Sequence, residues 1–150
     1  MAMNKAILKF FDVQELVCRH VYNTFGLSAL NFLDEKLLET LLFVRENIGK
    51  PIYVNNWQIG GNLSQRGLRC NLCDLVKSKT NANSIYVSAH VLGKAVDFDV
   101  KGMKAEEVRQ WLLTNENRLP HPIRLEKGVS WVHMDVRTFD GSETIKWFTA

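Results

Sequence analysis

The chain has 150 residues, of which 46% are hydrophobic and 23% charged, and its formal net charge is +3. These values are close to globular averages, so they argue against a disordered chain and predict a single domain over residues 1–150. Lysine and arginine are scattered without the basic run of a nucleic-acid-binding arm, and no window has the apolar length of a membrane helix.

The first residues of the chain lack the apolar segment and cleavage site of a signal peptide. We therefore expect the protein to be made in the cytoplasm and to stay there unless another factor releases it. The three cysteines, Cys18, Cys70 and Cys73, are an odd number, which argues against a disulfide framework.

Three helices are predicted along the chain. The first begins at Asp12, where Asp12 and Glu15 form a capping box, and runs to about Phe25. The second runs from about Asp34 to Ile48 and the third from Lys104 to Leu113, each with apolar residues at helical spacing.

The predicted strands lie in the second half of the chain, apart from one near its middle. They cover residues 52–57, 95–100, 123–126 and 129–137, the last two as a hairpin. Residues 60–84 form a long loop with one helical turn near Cys73–Lys77, and loops of this length are usually functional. We expect an α+β fold with a mainly antiparallel sheet on which the N-terminal helices pack.

Three side chains have the chemistry of a hydrolytic zinc site. Such a site takes three protein ligands from His, Asp or Glu and leaves a fourth position for water. His90 and Asp97 could supply two of them, and the small residues Gly93 and Ala95 between them allow a close approach. His133, on the last predicted strand, could supply the third.

The same residues carry a family resemblance. The segment SAHVLGKAVDFDV, residues 88–100, resembles the SxHxxGxAxD signature of zinc D-alanyl-D-alanine peptidases, which share their fold with the hedgehog signalling domain. WVHMDV (131–136) resembles their later WxH segment, and RGLR (66–69) is similar to their SGYR-type segment. The matches occur in the family order over roughly residues 52–137, and the chain looks most similar to small single-domain members from bacteriophages and their hosts.

The resemblance implies roles for particular residues. It implies three zinc ligands, His90, Asp97 and His133. Arg69 would hold a carboxylate or carbonyl oxygen of the substrate, although Arg66 lies close by in the sequence and could be mistaken for it. Ser88 would contact the substrate or a zinc ligand, and Trp131 is placed to line a substrate groove.

The general base is where the chain departs from the family. Members often have a Glu three residues before the last His, and this chain has Ser130 there. Glu126 is the natural substitute, but on a straight strand it would lie about 23 Å from His133, so only a tight turn at residues 127–128 could bring it back. Asp135 is the rival, because it shares its strand face with His133; either carboxylate could instead orient a zinc ligand.

The function expected from the resemblance is a monomeric zinc peptidase that cuts peptidoglycan stem peptides, as a D-Ala-D-Ala carboxypeptidase or an endolysin-type endopeptidase. Such an enzyme would reach the cell wall after membrane permeabilisation or be carried in a virion. The alternative is an inactive zinc-containing module that binds cell-wall peptide or a protein partner, which Ser130 favours. Nucleic-acid binding ranks third.

Two further motifs are interpreted as structural. Cys70 and Cys73 form a CxxC pair, which suggests a second zinc or a redox pair, but no second CxxC and no βαβ pattern accompany it. The interpretation favours unpaired or half-buried loop cysteines. His20, on the first predicted helix, and His121, between two prolines, are interpreted as structural or exposed.

Overall fold

A five-stranded sheet forms the centre of the fold. The computed structural model describes residues 2–81 and 83–150. The strands are β1 (Ile52–Tyr53), β2 (Ala95–Val100), β3 (Ile123–Glu126), β4 (Val132–Asp135) and β5 (Ile145–Phe148). Their order in the sheet is β1-β2-β4-β3-β5, with all neighbours antiparallel except β3 and β5. The α+β class is confirmed, but the sheet is mixed rather than purely antiparallel.

Helices come before the first strand and also between β1 and β2 and between β2 and β3. They are α1 (Ala2–Ile7), α2 (Val13–Leu16), α3 (Arg19–Phe25), α4 (Glu35–Ile48), α5 (Asp74–Lys77) and α6 (Ala105–Thr114), with 3₁₀ segments at Gly26–Phe32, Trp57–Ile59 and Glu116–Arg118. Helix α1 packs against α4, and α6 packs against β2 and β4. One hydrophobic core joins the helices to the sheet. No helix in the described ranges is long and apolar enough to cross a membrane.

The two faces of β2 have different environments, as its alternating sequence predicts. Val96, Phe98 and Val100 belong to the hydrophobic core. Asp97 and Asp99 lie on the opposite face, where Asp97 is buried and Asp99 is exposed. The irregular segment before the strand also contacts β2, since the backbone N–H of Asp97 donates to the carbonyl of Arg66 at 2.6 Å. Residues 62–66 and Arg69 of that segment line a cleft beside Asp97.

The first predicted helix is wrong in one respect, because it is broken into α2 and α3. At the break, Val17 is extended and bridges Leu68 in parallel, and the N–H of Cys18 donates to the carbonyl of Leu68 at 3.0 Å. The Glu15 half of the capping box is present, since Glu15 accepts from the N–H of Asp12 at 2.8 Å. The pairing of Val17 with Leu68 therefore ends the helix after one turn, although the apolar residues continue at helical spacing.

The remaining elements agree with expectation to different degrees. Helix α4 is confirmed, with Asp34 accepting from the N–H of Lys36 at 2.8 Å and Gly49 left-handed at its end. The strand predicted at residues 52–57 is wrong beyond Tyr53, because the N–H of Asn55 donates to Glu15 of α2 instead of a strand neighbour. Strand β5 is not predicted; it pairs with β3.

Candidate metal centre

Sheet register places Asp97 and His133 side by side. Asp97 on β2 is the direct cross-strand partner of His133 on β4, so both side chains leave the same face of the sheet. Asp97 Oδ1 lies 2.9 Å from His133 Nδ1. Both residues are buried, at 6% and 8% exposure. Two strands far apart in sequence thus supply two of the three predicted ligands.

His90 reaches the same carboxylate from a turn that precedes β2. Its Nε2 atom lies 3.2 Å from Asp97 Oδ2. The turn closes through a hydrogen bond from the N–H of Gly93 to the carbonyl of His90, and Gly93 has a φ of +71°. A Cβ on Gly93 would lie 2.1 Å from the carbonyl oxygen of Phe32, so the turn requires glycine for both its conformation and its packing.

The outer nitrogen of each imidazole has a fixed acceptor. His90 Nδ1 donates to the carbonyl oxygen of Gly67 at 2.9 Å, and His133 Nε2 donates to Asp135 Oδ2 at 2.7 Å. The inner nitrogens, Nε2 of His90 and Nδ1 of His133, are left facing Asp97. Metal-binding histidines are typically oriented in this way by a carbonyl or carboxylate behind them.

The electrostatics of the cluster also suit a cation. Burial by itself would raise the pKa of Asp97, but hydrogen bonds with His133 and His90 outweigh burial and hold that pKa well below its usual range. Burial would lower the pKa of His133, but its hydrogen bonds to Asp135 and Asp97 raise it to about 9. In the absence of a metal, His133 Nδ1 therefore carries a proton that faces Asp97. A divalent cation would displace that proton when it binds.

Three donor atoms of His90, Asp97 and His133 lie within 4.8 Å of one another, a separation that one metal ion can span. The donor types are two imidazoles and one carboxylate, which suit divalent transition metals, and they leave part of a coordination sphere to other groups. The residues present therefore fit a metal ion with an open position.

A cleft of about 280 Å³ opens beside this centre. Arg69 and Trp131 line it together with Asp97. The Arg69 guanidinium lies 3.4 Å from Asp97 Oδ2, whereas Arg66 pairs with Asp99 at 2.9 Å, so Arg69 is the arginine at the centre. Trp131 is 38% exposed and offers an apolar surface to a bound molecule.

Ser88 has a local structural contact. Its hydroxyl accepts from the N–H of Val91 at 3.3 Å, and its carbonyl accepts from the N–H of Leu92 at 3.1 Å. Ser88 therefore stabilises the turn that carries His90. The cleft beside the metal centre is lined by other residues, namely Asn62, Leu63, Ser64, Gln65, Arg66, Arg69, Leu75, Asp97 and Trp131.

The two candidate bases lie in different environments. Asp135 is fully buried, receives two hydrogen bonds of 2.9 Å from Arg124, and contacts His133. Burial would raise the pKa of Asp135, but the hydrogen bonds from His133 and Arg124 outweigh burial and lower it. The ionised form of Asp135 is therefore favoured beside His133, and its oxygens are already engaged.

Glu126 ends the strand that pairs with the strand of His133. The register pairs Arg124 with Asp135 and Leu125 with Met134, and one further residue in the same register would set Glu126 opposite His133. The turn needed for this contains Gly128 at a φ of +78°. Among the described residues, none forms a hydrogen bond or ion pair with the Glu126 carboxylate. Glu126 is partly buried and its oxygens are uncommitted.

Two residues that support the site were not predicted from the sequence. Arg124 holds Asp135, and a hairpin register worked out from the sequence would have paired them. Arg109 on α6 is buried and donates to the carbonyls of Trp131 and Val129, at 3.0 and 3.1 Å, so it fixes the loop between β3 and β4. No local sequence signal indicates that contact.

The fold and the site define an α+β protein with a buried His/Asp/His group that can bind a metal ion beside an open cleft. No family model, curated protein or solved structure matches the chain.

Proposed function

We propose that this protein is a zinc-dependent peptidase that hydrolyses peptide bonds in peptidoglycan stem peptides, with a hedgehog/DD-peptidase-like fold. The observation that carries the proposal is the pair of imidazoles whose outer nitrogens are held by Gly67 and Asp135 while their inner nitrogens face Asp97. The resemblance of residues 88–100 and 131–136 to the zinc D-alanyl-D-alanine peptidases supports the choice of substrate.

His90, Asp97 and His133 would hold the zinc ion. Zinc in such a site acidifies water and polarises a carbonyl group. Asp135 would keep His133 in the tautomer that leaves Nδ1 free to hold the metal, and Arg124 favours the ionised form of Asp135.

Glu126 serves as the general base in this proposal. Its carboxylate takes a proton from the attacking water and delivers it to the nitrogen of the leaving amine. Asp135 is less suited to the role, because Arg124 and His133 occupy its oxygens and it is fully buried. Glu126 is the better proton carrier, because its carboxylate is free and the register of the hairpin, extended by one residue, would set it opposite His133.

Arg69 binds a negatively charged oxygen of the substrate. Its guanidinium lines the cleft and lies near Asp97, where it can meet a stem-peptide carboxylate or the developing charge on the scissile carbonyl. Trp131 on the cleft wall would pack against the aliphatic parts of the peptide.

The proposal is tested with zinc-loaded protein and purified peptidoglycan, with newly formed amino groups as the readout and mass spectrometry to identify the bond cut. Glu126→Gln should lower the rate at least 100-fold without lowering the zinc content. Ser130→Ala is the matched control and should retain most of the activity. Stoichiometric zinc with no bond cut in several wall types would favour the alternative of an inactive module that binds cell-wall peptide.

A further inference from the structure

We propose that Cys18, His20, Cys70 and Cys73 bind a second zinc ion, which has a structural role and is independent of the peptidase proposal. The four residues come from two segments. Cys18 lies at the break between α2 and α3 and His20 in the first turn of α3, whereas Cys70 and Cys73 lie in the loop that leads to α5. The Val17–Leu68 bridge holds the two segments together.

The donor distances are those of a tetrahedral site. His20 Nδ1 lies 3.6 Å from Cys70 Sγ and 3.9 Å from Cys73 Sγ. Zn–S bonds of about 2.3 Å and Zn–N bonds of about 2.0–2.1 Å place sulfur and nitrogen ligands about 3.6 Å apart in a tetrahedron. All four donor atoms, including Cys18 Sγ, lie within 4.8 Å of one another.

The backbone around the sulfurs favours thiolates. The N–H of Cys70 points to Cys73 Sγ at 3.4 Å, and the N–H of Leu72 points to Cys70 Sγ at 3.3 Å. Such N–H donors stabilise negative charge on a sulfur ligand. Three thiolates and an imidazole form a soft donor set that selects zinc over calcium or magnesium.

Four protein donors close the coordination sphere, so a structural role follows rather than a catalytic one. Cys18 and Cys73 are each only 1% exposed, while His20 is at the surface. A cavity of about 180 Å³ beside Cys18, His20 and Cys73 gives an ion a path into the cluster. A single disulfide would leave one of the three sulfurs unpaired.

The zinc would fix the loop that lines the other metal centre. Next to Leu68, on either side of the bridge, the loop places Gly67, whose carbonyl orients His90, and Arg69, which lies beside Asp97. This loop has little regular structure of its own apart from α5. A metal that ties Cys70 and Cys73 to Cys18 and His20 would supply the cross-links that hydrogen-bonded strands supply elsewhere.

The test is a zinc count on reduced full-length protein. The wild type should hold two zinc ions per chain, and a variant with His90→Ala, Asp97→Ala and His133→Ala should hold one. Cobalt loaded into that variant should give the intense thiolate-to-cobalt charge-transfer absorption of a tetrahedral site. Absence of bound metal, or cobalt bound without that absorption, would overturn the proposal, whatever the peptidase assay shows.

His20→Ala, made in that triple variant, gives the sharper comparison, because His20 is exposed and its loss leaves the core intact. Zinc affinity should fall at least tenfold. His121→Ala is the matched control, since His121 pairs with Glu39 away from both clusters and its loss should leave zinc affinity unchanged. Equal affinities for the two variants would exclude His20 as a ligand.

Discussion

The two donor clusters of this protein are built on different kinds of backbone. His133 and Asp97 lie on paired strands of the sheet, with His90 in a tightly packed turn, so their positions are set by the fold. Cys70 and Cys73 lie in an irregular loop and meet Cys18 and His20 at a helix break. If both clusters bind a metal as proposed, the fold positions the donors of the first cluster before the metal binds, whereas the metal of the second cluster would hold the loop in place.

The largest expected effect separates the two clusters directly. His133→Ala removes the imidazole that is the proposed metal ligand and that Asp135 holds in place. The first centre should therefore lose its metal, and peptidase activity should fall more than about 1,000-fold. The metal in the cysteine cluster should remain. Zinc analysis and a peptidoglycan assay measure the two outcomes; loss of both metals would show that the clusters depend on each other.

Cys70→Ser should affect stability more than His133→Ala does. The serine hydroxyl is a poor zinc ligand, so the loop loses its cross-link and the free energy of unfolding should fall by roughly 3 kcal/mol. Chemical denaturation of zinc-loaded protein provides the measurement. If both variants lost the same free energy of unfolding, the cysteine cluster would depend on its metal no more than the His90, Asp97 and His133 centre does, which would contradict the comparison.

Asp135→Asn probes the support of the first centre without removing a ligand. The amide weakens the acceptor behind His133 Nε2 and its pairing with Arg124, so metal affinity at this centre should fall by about 10–100-fold. Competition with a chromogenic chelator measures it. Asp99→Asn is the control: Asp99 pairs with Arg66, and this exchange should leave that affinity nearly unchanged.

The smallest effect is expected for Lys94→Met. Lys94 pairs with Asp34 at 2.6 Å, but both side chains are partly exposed, so the loss should be below about 1 kcal/mol. Backbone packing of Gly93 against Phe32 should keep the His90 turn in place. A drop in metal content of the first centre would show instead that the ion pair positions His90.

Local sequence patterns predicted the parts of the fold that depend on neighbouring residues. The alternation in residues 95–100 predicted β2 and the face of Asp97, and the caps at Asp34 and Gly49 predicted α4. The expectation that His90, Asp97 and His133 form one group agrees with their placement in the structure. The sheet is mainly antiparallel as expected, but β5 and its parallel pairing with β3 were not predicted, since that pairing depends on contacts between distant segments.

The sequence by itself determined the donor types and the strands that carry two of them, because side-chain chemistry and period-two alternation are local properties. Only the tertiary structure decided that α2 ends at Leu16, that Arg69 rather than Arg66 reaches Asp97, and that three scattered cysteines meet His20. Each of these depends on the pairing of Val17 with Leu68, 51 residues apart, or on the path of the loop that follows it. Backbone hydrogen bonds between distant segments carry no local sequence signature, so only the folded chain shows them.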